Sequence, residues 1–201
     1  MSIESKVSRV EHLFDRLDRE ISQFQSQAHL HCVIGCGKCC TKPDMEASPL
    51  EFLPWAFDLF INGQAEKVLS ELNDSSNSIC YLYQPLSLID TQSGRCGNYR
   101  YRGLICRLFG YAATNDKYSK LRLIACKIIK ENHLSFKSVE EVINRGLYVP
   151  VFTDYYMNLS QIDFRLGNTI LPINKALKGA IEEVLHYFTY RPFPKGFKNV
   201  S

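Results

Sequence analysis

Eight cysteines constrain this chain more than any other feature of its sequence. They are Cys32, Cys36, Cys39, Cys40, Cys80, Cys96, Cys106 and Cys126, in a sequence of 201 residues. The first 31 residues and the last 75 contain none. Cysteines used only as small buried hydrophobes would be scattered along the chain. Clustered cysteines point to disulfides, metal binding or redox chemistry, and the compartment selects among these. The N-terminal stretch MSIESKVSRVEHLFDRLDRE is charged throughout and lacks the apolar centre of a secretory signal. No run of about 18 apolar residues offers a membrane span. The expected location is the reducing cytoplasm, where disulfides are rare, so a disulfide framework is disfavoured.

Soft thiolates suit zinc and iron. The run HCVIGCGKCC places Cys32, Cys36, Cys39 and Cys40 within nine residues, interleaved with Gly35 and Gly37. Such glycines let a backbone bend around an ion and turn its amides towards sulfur. The neighbours Cys39 and Cys40 restrict the geometry, because adjacent side chains diverge in helix and strand alike. Either one of them is a bystander or the two serve different metal atoms. Cys80, Cys96, Cys106 and Cys126 offer four further ligands, so eight thiols fill two four-thiolate sites or one site with spares. The core ligand set expected is Cys36, Cys39, Cys40, Cys96 and Cys106, with Cys32, Cys80 and Cys126 next. Arg95, Arg100, Arg102 and Arg107 surround Cys96 and Cys106 in sequence. They read either as counter-charge to an anionic centre or as a solvated basic face.

The rest of the chain reads as a mainly α (α+β) single domain with a loop-rich cysteine module and a small β-hairpin. Residues 1–29 are an N-terminal amphipathic helix, with Val7, Val10, Phe14, Leu17, Ile21 and Phe24 at spacings of three and four. Residues 30–130 form the cysteine module. Residues 131–201 are a helical segment packed on the same domain. Ser48 and Glu51 make a capping-box pattern with Pro49 at the first helical position, and Pro54 kinks or breaks that helix. Short structure is expected at residues 64–72 (helix) and 80–83 (strand), with a turn at Ser93 and Gly94. A hairpin is expected around the turn NDKYSK, ending at Cys126. Ser138 and Glu141 read as a cap. Phe152, Tyr155, Tyr156, Leu159 and Ile162 mark one helical face. Ile173, Leu177, Ala180, Ile181, Val184 and Phe188 mark another, entered through Pro172.

Two linked motifs carry a family resemblance. GCGKCC followed by TKPDMEASPLEFLP, and then GRCGNYRYRGLICRLFG, resemble the CxxCxxCC, or YkgJ-like, cysteine-cluster family. Its members are described as zinc- or iron-chelating domains or as iron–sulfur proteins. The second signature, C-x2-Y-x2-R-P-x2-C-R-x-F, is matched by Cys96, Tyr99, Arg102, Cys106, Arg107 and Phe109. Gly103 stands where the family carries proline, which is expected to loosen the turn. The first cysteine spacing is three residues rather than two. The resemblance covers residues 30–130 and implies a bound metal ion or cluster, zinc or iron–sulfur, with the four-iron type expected if it is a cluster.

Other readings compete. Cys32-x3-Cys36-x2-Cys39 has the spacing with which radical S-adenosylmethionine enzymes hold a four-iron cluster. However, Lys38 replaces the usual aromatic, and no run of β/α units comes after it to build a barrel. Flagellin lysine methylases carry a related cluster, which keeps methyl transfer among the alternatives. Cys36-GK-Cys39 is also a candidate redox pair, although no βαβ pattern surrounds it. His31 is the one histidine near enough in sequence to act as a ligand; His12, His29, His133 and His186 read as surface or satisfied core residues. Asp44, Glu46 and Glu51 come after the cluster, and Glu46 is a candidate for orienting it. A net charge of +3 and one Tyr/Arg patch, YRYRG, give little reason to expect nucleic acid. The preferred reading is a metal-binding protein without enzymatic activity.

Overall fold

The computed structural model describes residues 1–33, 36–75, 77–86, 94–132 and 136–194. Gly35, Ser93 and His133 lie outside the described residues. The fold is mainly helical, with small antiparallel strand pairs.

Helix α1 (Ile3–Ala28) starts where Ser2 accepts a hydrogen bond from the Ser5 amide at 3.2 Å. Its stripe from Ile3 to Ala28 is buried along its whole length, as the three/four spacing requires. After the cysteine loop, β1 (Glu46–Ala47) leads into a 3-10 turn at Pro49–Phe52 and helix α2 (Leu53–Ile61). Pro54 sits in the first turn of α2, so the chain changes helix type there instead of kinking within one helix. Helix α3 (Ala65–Asp74) comes next. Strands β2 (Tyr83–Pro85) and β3 (Gly94–Cys96) pair antiparallel, with Tyr83 opposite Cys96. The 80–83 strand is thus displaced to β2, and Gly94 belongs to a strand rather than a turn.

A 3-10 turn at Tyr99–Tyr101 precedes the short helix α4 (Leu104–Leu108). The expected hairpin is present as β4 (Ala113–Asn115) and β5 (Leu121–Leu123), with α5 (Lys127–Asn132) after it. Helix α6 (Phe136–Asn144) begins before Ser138, so Ser138 lies inside the helix and is not its cap. Helices α7 (Phe152–Ser160) and α8 (Phe164–Asn168) lead to β6 (Leu171–Pro172), which pairs with β1. The closing helix is α9 (Ile173–Thr189).

Helix α2 packs between α1 and α9, and α3 and α7 complete a first apolar core. A second, smaller core gathers Phe24, Ala28 and Leu30 with Ala113, Leu123, Ile129, Phe136, Val139, Ile143 and Val149. The far end of α1 therefore joins the β4–β5 hairpin and α6 to the rest. Among the described residues, no helix is long and apolar enough to cross a membrane.

Candidate metal centre

All eight cysteines line one cavity of about 590 Å³. None forms a disulfide. The cavity lies where the two cores meet: Phe52, Cys80 and Leu82 come from the first, and Ile129 from the second. Among the described residues, no three His, Cys, Asp or Glu side chains stand close enough to hold a single ion.

The first four cysteines are shaped by a turn. Gly37 has φ +56°, and a Cβ there would stand 2.7 Å from the Gly94 carbonyl and 2.8 Å from the Tyr83 ring. Glycine is needed for both the left-handed backbone and the close approach. The Cys40 amide then donates to the Gly37 carbonyl at 2.9 Å. In this turn the Cys39 and Cys40 thiols lie near enough to act on each other rather than diverging as in a helix or strand, and their interaction holds Cys39 below the usual range while raising Cys40. Gly37→Ala is expected to lower stability by roughly 1–3 kcal/mol and to splay this loop away from β3. Thermal melting checks the first effect, and faster labelling of Cys39 and Cys40 by a thiol reagent checks the second.

Cys80 is tied to the loop by its amide, which donates to the Cys40 carbonyl at 3.1 Å. The hairpin β2–β3 then carries Cys96, and the Gly97 amide closes it on the Leu82 carbonyl at 2.6 Å. Cys106 projects from α4. Burial pushes Cys106 up, reinforced by the charges on Cys80 and Glu51. Burial also raises Cys80 to about 11. Cys96 rises by burial too, opposed by the Asn98 amide and Arg102. At the exposed side, the Cys32 amide donates to the Tyr111 hydroxyl at 2.8 Å. Cys32 is raised to about 11 by burial first, reinforced by the nearby Cys36, Cys39 and Cys126. Cys126 sits just before α5 and accepts from the Ile129 amide at 3.4 Å.

Glu51 holds α4 in place. Its Oε1 accepts from the Ser48 amide at 2.7 Å and the Ser48 hydroxyl at 3.1 Å, completing the capping box read from sequence. Its Oε2 accepts from the Ile105 amide at 3.1 Å, at the N-terminus of α4. One buried carboxylate thus caps two helical segments. Burial pushes it up, offset in part by these hydrogen bonds. Gly103 makes the approach feasible, since a Cβ there would lie 2.8 Å from the Phe52 ring and 2.9 Å from Glu51 Oε2. Gly103 therefore tightens this corner rather than loosening it. Glu46 is exposed opposite Pro172, and neither it nor Asp44 lines the cavity.

The four arginines divide. Arg95 and Arg102 line the cysteine cavity, together with Lys38 and Lys42. Arg102 stacks on Tyr99 at 4.1 Å and pairs with Asp18 at 3.1 Å, yet its buried Nε has no hydrogen-bond partner. Arg107 turns the other way, bonded to Asp18 and to the carbonyls of Arg102 (3.1 Å) and Arg100 (2.7 Å). Arg100 and Arg107 line a separate cavity of about 230 Å³ with Glu11, Asp15 and Glu51. Of the histidines, His31 lines the cysteine cavity; His12 bonds within α1, His29 caps its C-terminus and His186 packs beside Tyr190. Asp18 is the structural residue that sequence reasoning missed, since it sits on the polar side of α1 and its partners are 84 and 89 residues away.

Compared with protein-family models, with curated proteins and with solved structures, the chain matches none.

Proposed function

We propose that this protein binds metal, as zinc or an iron–sulfur centre, through the thiolates of its cysteine cavity. The observation that carries the reading is that eight unpaired cysteines, from segments spread over residues 32–126, line one cavity. Chance burial would not bring every cysteine of a chain to the same wall. The donor set fits an anionic thiolate centre: among the described residues four cations and no carboxylate line the cavity, and Arg102 presents a buried N–H without an acceptor. Unpaired thiols also suit a reducing compartment such as the cytoplasm.

Between the two metals, the layout supports a cluster. A lone zinc ion draws its four sulfurs to within roughly 3.8 Å of one another, by tetrahedral geometry. In a four-iron cluster each thiolate binds a different iron, which suits thiols spread around about 590 Å³. The resemblance to the cysteine-cluster family agrees with either metal. When bound, an iron–sulfur centre supplies electron transfer or sensing, and zinc supplies stability. Its four thiolates would come from among Cys39, Cys40, Cys80, Cys96 and Cys106, Glu51 would fix the helix bearing Cys106, and Arg102 would donate to sulfur.

A radical S-adenosylmethionine enzyme or a thioredoxin-like redox protein gains no support from the fold: every sheet among the described residues is a two-stranded antiparallel pair. The test is elemental analysis with an absorption spectrum on anaerobically purified protein. Bound iron with a brown charge-transfer band is expected. Zinc without visible absorption would assign the other metal, and folded protein with no metal under reconstitution would overturn the reading.

A further inference from the structure

We propose that Asn174, in the first turn of α9, is a positioning residue of the metal centre, clamping the backbone on both sides of Cys80. This rests on the metal-binding reading above and extends the site to a helix that carries no cysteine.

Residues 77–82, between α3 and β2, form neither helix nor strand, so no regular element sets the place of Cys80. The Asn174 amide supplies that support. Its Oδ1 accepts from the Tyr81 amide at 2.8 Å, and its Nδ2 donates to the Ile79 carbonyl at 2.8 Å and the Asn77 carbonyl at 2.9 Å. Ile79 and Tyr81 are the two chain neighbours of Cys80. The partners also settle which way the side-chain amide faces, since a carbonyl only accepts and a backbone N–H only donates. Donor and acceptor alike are committed to this one segment.

The residue before Asn174 ties down a second segment. The Ile173 amide donates to the Met45 carbonyl at 2.9 Å, just after the loop that bears Cys36, Cys39 and Cys40. Ile173 itself lines the cysteine cavity. The Cys80 amide then joins the two segments through the Cys40 carbonyl. Helix α9 is a firm base for this, because it packs on α2, α3 and the 3-10 turn at Pro49–Phe52. A ligand on an irregular segment keeps its geometry only when a rigid neighbour orients it.

Two roles for Asn174 give opposite signs for one substitution. If it served only to start α9, a carboxylate of the same shape would serve better, because acids in the first turn favour the helix dipole. If it clamps Cys80, that carboxylate loses both donors and faces two carbonyls.

The test uses the full chain, purified without oxygen, as wild type, Asn174→Asp, Asn174→Ala and Lys175→Ala. Each is alkylated metal-free with iodoacetamide, and modification of every cysteine is followed by peptide mass spectrometry. Each is also reconstituted with ferrous iron plus inorganic sulfide or, separately, with zinc, and metal release to a chelator is timed. Both Asn174 variants are expected to alkylate at Cys80 roughly tenfold faster than wild type, the effect of losing a net hydrogen bond or two from local opening. Cys126, on the second core, should keep its wild-type rate. Metal release should quicken by a similar factor. Lys175→Ala, exposed in the same turn, should match wild type. Asn174→Asp, nearly isosteric, decides if Asn174→Ala does not fold. Wild-type rates in Asn174→Asp would overturn the proposal, as would equal acceleration at Cys80 and Cys126, which marks a global loss of stability. Wild type that takes up no metal sinks the metal-binding reading and this role with it. Wild type that holds metal beside an Asn174→Asp variant that releases it no faster sinks this proposal alone.

Discussion

Glu51→Ala is expected to lower stability by roughly 2–4 kcal/mol, the sum of two lost caps and a small internal void. The side chain is 1% exposed, so water cannot replace it. Its loss strands the Ser48 amide and hydroxyl and the Ile105 amide together. For a domain of this size the melting temperature should fall by roughly 5–15 °C. Glu51→Gln keeps the volume but not the bonding. Every partner of the carboxylate is a donor, and the amide NH2 would have to face one of them. It should therefore also melt early, by less than alanine. If the cavity binds metal as proposed, either variant should bind it more weakly even at temperatures where it is folded, because α4 carries Cys106. A Glu51→Ala melting curve superimposable on wild type would show that α4 is held by something else.

What the sequence revealed, and what it hid, depends on how local each interaction is. The capping box at Ser48 and Glu51 was legible because both groups lie in one turn. The same carboxylate's bond to Ile105 was not, since it joins residues 54 apart. Helices α1 and α9 were legible from their apolar periods, which repeat long enough to stand out. Strands β2 and β3 have three residues each and no alternation to read. They are specified instead by fit, with Gly94 closed against the Tyr83 ring. Ser138 misled because a cap-like serine occurs within a helix that Phe136 had already begun. The cysteines announced a site by their clustering. That Cys39 and Cys40 sit in a turn, where their thiols meet, depends on Gly37 finding its place against Gly94. Sorting the arginines was beyond the sequence, because Asp18 lies far from Arg102 and Arg107 in the chain.

Asp18→Ala should be the most damaging change on the polar side of α1, lowering stability by roughly 2–3 kcal/mol. Asp18 is itself 41% exposed, which would make an ordinary surface ion pair of little value. Its partner decides the size of the effect. Arg107 is 4% exposed and lies 4.5 Å from the centre of the Phe14 ring. Without Asp18 its guanidinium keeps two backbone carbonyls and no counter-charge. A buried charge left in that state costs more than its pairing gained. Arg102 loses its carboxylate as well and keeps only its contacts with Tyr99, so, if the cavity binds metal as proposed, metal content should fall with stability. Asp18→Asn should be milder, because one acceptor oxygen remains. Sodium chloride at 1 M should change the wild-type melting temperature little through this pair, since the Arg107 side is shielded from ions. Equal melting temperatures for Asp18→Ala and wild type would show that Arg107 is satisfied by its carbonyls alone.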